Sequence, residues 1–404
     1  TSQLPPQFKT SIEERPEKGS IPRGKPPGSP GATRQEPEKV DREIKLALPN
    51  NCGRCGKRLI KNKNYRLVYD VVMKMITTEF EYEDGYCPNC GEYHVNTHPE
   101  LPERGIFGFN LQSLITEIRH NFAGSYDKTN RLLESLFGVC FTAPSLNDCI
   151  ERVAEQLEPS YENMKDKLQK TEFNYSDETS WFVNGILMYF WLFVNSMFTF
   201  VTIQKHRNRR VLIDIFGEKY KGTIISDCFS AYNEFAENFQ KDWIHLLRKA
   251  HFETEKSQND DIKRLFDELM NLYNAMKEFL EKEPSIDERK KKYKLFNRKL
   301  DAIRRYQWKS KPAQDIIANW IEKYEGQWLT AILIPGIRLD NNIAERGIRP
   351  LIPTRKLLGG HRTIQGAKNF AIIETHRQTW KMHDKSTYNA LVEHLVNRRK
   401  EILI

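Results

Sequence analysis

Residues 173–203 read FNYSDETSWFVNGILMYFWLFVNSMFTFVTI, and the fold turns on how this stretch divides. No charged side chain occurs from Trp181 to Gln204, a run as long as the usual cue for a membrane helix, about 18 residues. Asn184-Gly185 and Asn195-Ser196 interrupt it as turn signals, and the pieces between are rich in Tyr, Phe, Trp and Val. The stretch therefore reads as buried strands, Phe173–Val183, Ile186–Val194 and Met197–Ile203, joined by tight turns. A helix over Asn208–Tyr220 and a strand through Gly222–Asp227 follow. Three strands, a helix and another strand predict an α/β core with a mixed sheet.

Composition bounds the rest. The 404 residues are 39% hydrophobic and 11% aromatic, enough for real cores, which excludes a coiled coil and a wholly disordered chain. Lys plus Arg number 63 against 54 Asp plus Glu, a net charge of +9 that favours polyanionic partners, nucleic acid before membrane surface. Thr1 opens a polar, proline-rich stretch without the pattern of a secretory signal, and the missing methionine suggests absent upstream sequence.

Residues 1–45 hold eight of the 19 prolines and few aliphatics, which predicts a flexible arm, either a solvated linker or a strap along phosphates. A module over 46–100 carries Cys52-x-x-Cys55 and Cys87-x-x-Cys90, each knuckle followed by glycine. Two such pairs suit a structural, tetrahedral Zn2+ site; the alternative, two disulfides, needs an oxidising compartment. Between the pairs, Tyr65, Leu67, Tyr69, Val71, Met73 and Met75 alternate with polar residues, predicting a β-ribbon and hence a zinc ribbon. Residues 101–172 show helical spacing in three segments, the last with Ser145 as the expected N-cap. A DNA-facing helix-turn-helix fits, as does an ordinary helical bundle. Residues 260–328 are helical and charged, an insertion or lobe whose Lys290-Lys291-Lys292 run reads as a solvated face or a duplex-binding one.

Two acids stand where a solvated carboxylate would be odd: Asp177 within the first strand of the core and Asp227 at the end of another. At 4 Å and an effective dielectric near 20 the pair would repel by about 4 kcal/mol, a penalty that a divalent cation removes. Oxygen-only ligands favour Mg2+ or Mn2+. Glu345 offers a third, in a helix opened by Asn341 or Asn342, beside Arg346, Arg349, Arg355, Lys356, Arg362 and Lys368 with Gly359, Gly360 and Gly366 between. Three carboxylates around two metals suit phosphoryl transfer beside a phosphate-binding surface. Taken on the residues alone, three unrelated acids remain the alternative.

Asp177-Glu178-Thr179, Ser226-Asp227 with Ser230-Ala231-Tyr232-Asn233, His245-Leu246-Leu247-Arg248-Lys249 and Asn341-Asn342-Ile343-Ala344-Glu345-Arg346 through Arg349-Pro350 occur in that order. This set, with Pro30-Gly31-Ala32-Thr33-Arg34 and the paired Cys-x-x-Cys upstream, resembles insertion-sequence transposases of family sixty-six over nearly the whole chain. The resemblance implies a DDE transposase. Its expected parts are an RNase H-like core (173–259 and 329–404) interrupted by the helical insertion, a zinc-binding module and a helix-turn-helix for terminal inverted repeats. It implies Asp177, Asp227 and Glu345 as the triad, with 117 residues between the last two, and His245 as an orienting residue. It further implies DNA as partner (terminal repeats and target), a dimer or higher assembly on DNA, accessory proteins of the same element, and a cytoplasmic, nucleoid-associated location. Asp242 and Ile244 stand where the family often has Cys and Ala. The competing functions are a non-catalytic DNA-binding derivative and an RNase H-like nuclease.

Overall fold

The computed structural model describes residues 39–403 apart from Asn64 and Gln258, so most of the proline-rich arm, including Pro30–Arg34, lies outside the described residues. The chain divides after Val71 into two compact units. In the first, Cys52–Gly56 forms a tight knuckle: the Gly56 amide donates to the Cys52 carbonyl (2.9 Å) and the Cys52 amide to that of Lys57 (2.8 Å).

The second unit opens with the same turn at Cys87–Gly91, carried between strands β1 (Asp84–Tyr86) and β2 (Tyr93–Val95). The ribbon expected over Tyr65–Met75 does not form; among the described residues 65–83 none is in a strand. Its alternation finds no surface to cover, since Tyr65, Val68, Tyr69, Val71 and Val72 are all exposed. Pairing occurs instead where the second knuckle brings two short segments together.

Three helices follow, α1 (Phe109–Asn121), α2 (Tyr126–Phe137) and α3 (Ala143–Leu168). The N-cap of α3 is Thr142, whose Oγ1 accepts from the Ser145 amide (3.2 Å), rather than Ser145; Pro144 then occupies the first turn, where a missing N–H costs nothing. Strands β3 (Phe173–Val183), β4 (Ile186–Val194) and β5 (Thr199–Gln204) take up the uncharged run, and among the described residues no helix is long and apolar enough to cross a membrane. Asn184 (φ 51°) and Gly185 (φ 72°) supply the left-handed pair that the first tight turn requires.

Helix α4 is shorter than its apolar pattern, Arg209–Phe216, because Gly217 at φ 84° ends it and the chain enters β6 (Tyr220–Ser226) at once. A fifth strand of the main sheet, β7 (Ala236–Lys241), carries no sequence alternation. The sheet runs β5-β4-β3-β6-β7, with β3, β4 and β5 antiparallel and β6 and β7 parallel to β3. Helices α5 (Trp243–Ser257), α6 (Asp260–Leu280), α7 (Ile286–Arg305), α8 (Lys311–Ile316), a π-helical turn and α9 (Thr330–Leu333) come next. The chain closes with α10 (Asn342–Ile348), α11 (Leu351–Leu358), α12 (Ile364–Met382) and α13 (Thr387–Leu403).

Side-chain alternation splits the core into two. Tyr175, Trp181, Leu192 and Ile225 face α5, α10 and the helices of 260–333, whereas Trp191, Phe193, Phe200 and Ile224 face α1, α3 and α4. The helices of 101–172 thus close no core of their own: Leu146, Val153, Leu157 and Tyr161 of α3 are buried in the cluster shared with the sheet. The edge of β5 is covered by α12, where Thr375 and Thr379, one turn apart, accept from the Val201 (2.9 Å) and Thr199 (3.1 Å) amides. Otherwise unpaired strand amides are thereby satisfied.

Candidate active site

Asp177 lies in the middle of β3 on the face of Tyr175 and Trp181. The parallel register pairs Phe173 with Thr223 and Tyr175 with Ile225. The pairing ends there, and Asp177 and Asp227 each lie two residues beyond its last pair on the two adjacent segments. Asp227 begins the turn after β6: its Oδ1 accepts from the Phe229 amide (2.9 Å), and its carbonyl accepts from Nζ of Lys241 (3.1 Å). Lys241 is wholly buried beneath it, with the Tyr324 ring 4.9 Å from Nζ, and burial lowers the pKa of its ammonium.

Glu345 arrives from α10, which is fastened to β3 just before the acid. Asn341 Nδ2 donates to the Ser176 carbonyl (2.8 Å), and the Arg338 amide donates to the Tyr175 hydroxyl (2.8 Å). Ala344 and Ile348 turn inward. Gly347 lets the helix approach β4, since a Cβ there would stand 3.0 Å from Leu192 Cδ1. Asn341 begins the helix but caps nothing with its side chain; it is spent on the strand.

His245 projects from the first turn of α5, its Nε2 3.0 Å from Glu345 Oε1. Arg248 lies 3.6 Å from the same oxygen and Arg349 donates to Oε2 (3.2 Å). Asp242, wholly buried just before α5, accepts from the Ile244 amide through Oδ1 (2.7 Å), while Oδ2 has no hydrogen-bond partner and stands 3.8 Å from His245 Nε2. Among the described residues, Asp242, His245 and Glu345 are the trio whose ligand atoms lie within 4.8 Å of one another. Asp177 and Asp227 do not join that sphere.

The electrostatics nonetheless link all three predicted acids. Burial raises the Asp177 carboxyl well above the usual range, and the carboxylates of Glu178, Asp227 and Glu345 push it further. Glu345 is held below its ordinary value, first by the hydrogen bond from His245, while the same bond raises His245. Burial lifts Asp242 to about 6. Asp177, Asp227 and Glu345 offer the oxygen ligands a divalent cation takes, and a cation beside Asp177 would relieve its repulsion, although their ligand atoms do not converge as those of Asp242, His245 and Glu345 do.

Sequence reasoning passed over Glu178, which points to the opposite face. It accepts from Arg207 Nε (2.9 Å) and Nη2 (2.7 Å) and from the Tyr232 hydroxyl, which itself accepts from Ser176 Oγ (3.0 Å). The strand carrying Asp177 is thereby tied to the turn that follows Asp227. The available signal was an acid directly beside Asp177, since one of two neighbours in a central strand must be buried. Asp242 had a fainter one, its spacing three residues before His245.

Of the six basic residues expected around Glu345, Arg346, Lys356 and Arg362 are exposed, and Lys368, exposed too, pairs with Glu158 of α3. Arg349 is also exposed but engages Glu345. Arg355 is turned inward: Nη1 donates to Thr179 Oγ1 (2.9 Å), the Ser180 carbonyl (2.7 Å) and Ser180 Oγ (2.9 Å), bracing α11 against β3.

Each Cys-x-x-Cys knuckle, taken separately, aims turn amides at its first sulfur. Those of Arg54 and Cys55 lower the Cys52 thiol, and those of Cys90 and Asn89 lower Cys87. Gly56 (φ 71°) and Gly91 (φ 72°) supply the left-handed residue that closes each turn. Favouring thiolate is what a zinc ligand needs. The other cysteines are unlike these; burial raises Cys149 and Cys228 to about 12.

No curated protein matches the chain at a significant level. The model of the transposase family IS66 matches residues 104–369, a span that holds the sheet, Asp177, Asp227, His245 and Glu345. With most of its length inside that match, the chain belongs to the IS66 family of transposases.

Proposed function

We propose that the protein is a DDE transposase with an RNase H-like core, which binds the terminal inverted repeats of its element, cleaves at their ends and joins them to target DNA. Asp177, Asp227 and Glu345 would hold Mg2+ or Mn2+. The observation that carries this reading is that α10, tied to β3 by the Asn341–Ser176 bond, brings Glu345 against the strand that carries Asp177, whose carboxyl is raised by burial and by the carboxylates of Asp227 and Glu345. When bound, a cation held by these carboxylates would supply activation of the attacking hydroxyl or water and charge stabilisation at the leaving oxygen. The chain's own residues do the rest. His245, Arg248 and Arg349 orient Glu345; Glu178, Tyr232 and Arg207 fix the turn after Asp227 against β3; Arg346, Lys356 and Arg362 offer exposed cations to phosphates. The two Cys-x-x-Cys knuckles would jointly hold a structural Zn2+.

The test incubates the purified chain with Mg2+ or Mn2+, its element's terminal repeats and a supercoiled target. Joined product that disappears in Asp227→Asn is the expected result. Cut ends without joining would leave a nuclease, and tight end binding without product in either metal would leave a DNA-binding derivative.

A further inference from the structure

Helix α7 carries an unusual charge distribution. From Arg289 to Leu300 it contains no acid, and its cations are Arg289, Lys290, Lys291, Lys292, Lys294, Arg298 and Lys299. Arg289 is buried and spent inside the fold, donating to the carbonyls of Pro284 (3.0 Å), Ala331 (3.1 Å) and Ile332 (3.3 Å). The other six are exposed. Phe296, Leu300 and Ile303 form the inward line of the helix. At 100° per residue, Lys291, Lys294, Arg298 and Arg305 fall on the opposite side, a stripe spanning roughly 21 Å at 1.5 Å per residue.

The neighbouring helix shows how such a surface is ordinarily neutralised. On α6, Arg264 pairs with Glu268 and Lys277 with Glu281, while Glu278 pairs with Lys282 just beyond its end. Among the described residues none of the four stripe cations of α7 has a carboxylate within 4 Å. Like charges three and four residues apart cost an isolated helix a few tenths of a kcal/mol per pair. Of the acids of α7, Asp287 stands at the N-terminal foot of the same stripe, four residues before Lys291 and more than 4 Å from its cations, while Glu288 closes the capping box of Ser285 and Asp301 pairs with Arg304.

We propose that this outward face of α7 is a second, sequence-independent docking surface for duplex DNA, contacting phosphates and separate from the basic residues beside Glu345. The proposal rests on the transposase reading but asks something different of the molecule. A row of unpaired cations along one helix face complements in charge the phosphate backbone, which presents one negative charge about every 3.4 Å along each strand. It offers no donor and acceptor set for base edges, so its contribution is affinity without sequence preference.

The test measures binding of the full chain to a random-sequence duplex over a salt series, for the parent and for Lys291→Ala combined with Arg298→Ala. Each lost phosphate contact removes about 0.9 from the slope of log K against log salt, so the double variant should be shallower by about 1.8. Over a fourfold rise in salt the parent then loses about twelvefold more affinity than the variant. Lys277→Ala with Lys282→Ala, which removes paired lysines of α6, is the control and should leave the slope near that of the parent. An unchanged slope in a Lys291/Arg298 variant of parental melting temperature overturns the proposal while leaving the transposase reading in place. A parent chain with no salt-dependent duplex binding overturns both.

Discussion

His245 Nε2 and Glu345 Oε1 stand 3.0 Å apart, although 100 residues separate them in the chain. The bond lowers the pKa of the acid and raises that of the imidazole, so each holds the other in its charged form. His245 is thus placed to fix the direction in which Glu345 presents its oxygens. Loss of a group that orients a metal ligand typically costs 10–100-fold in metal affinity or activity. His245→Ala is therefore expected to raise the Mg2+ or Mn2+ concentration for half-maximal cleavage by about 10–100-fold while end binding stays near parental. An unaltered metal titration would refute the positioning role.

Asp177 is expected to show the opposite signs for activity and stability. Asp177→Asn should abolish cleavage, and so should Glu345→Gln, with repeat binding retained in both. The half-buried carboxyl of Asp177 is ionised only against desolvation and three carboxylate neighbours. An isosteric amide that keeps the Oδ1 contact to the Glu178 amide removes that repulsion. Its melting temperature should rise by about 2 °C or more in metal-free buffer. Scanning calorimetry checks this, and a lower melting temperature would mean that Asp177 is compensated in the fold.

The legible and illegible parts of this protein separate on physical grounds. Asp177 stood out because a central strand tolerates an acid poorly, and Asn184-Gly185 because a two-residue hairpin needs left-handed backbone. Strand β7 was invisible: Ala236–Lys241 buries Gln240 and Lys241, so its polarity hides a strand held by parallel pairing to β6 and by Gln240 bonds to the Trp328 carbonyl and the Ala331 amide. The inward turn of Arg355 was equally hidden, because the sequence shows its charge and not the Thr179 and Ser180 oxygens that receive it. Contacts between elements far apart in sequence leave no local period to read.

The paired knuckles predict a stoichiometry. If Cys52, Cys55, Cys87 and Cys90 share one ion, elemental analysis of the purified chain should give one zinc per chain, and Cys52→Ser or Cys87→Ser should each bring it close to zero. Because ligand binding supplies much of a small zinc module's folding energy, either variant should also speed proteolysis over residues 46–100. Full zinc retention in Cys87→Ser would exclude the four-sulfur site.

A last expectation concerns acid. Burial holds His361 at about 3 and His376 at about 4, and lowers His120, which donates through Nδ1 to Glu374 Oε1 at 2.8 Å. Arg377 bonds the same oxygen at 2.7 Å, and this pair keeps Glu374 at about 2. In the unfolded chain the histidines take up protons near pH 6.5, whereas in the fold they stay neutral. At these three positions the unfolded state therefore binds more protons below that pH, so their contribution to stability falls with acidification, against the opposite contributions of Asp177, Asp242 and His245. For His361 and His376 together the slope approaches about 3 kcal/mol per pH unit below about pH 6. Glu374 adds to the loss below about 4.5, where its unfolded carboxyl protonates first. Between about pH 7.5 and 5 the melting temperature of the parent should therefore lose ground to that of His376→Gln, which takes up no proton, and the gap should widen as the pH falls. A gap between parent and variant that does not change with pH would show that His376 is already protonated in the folded state.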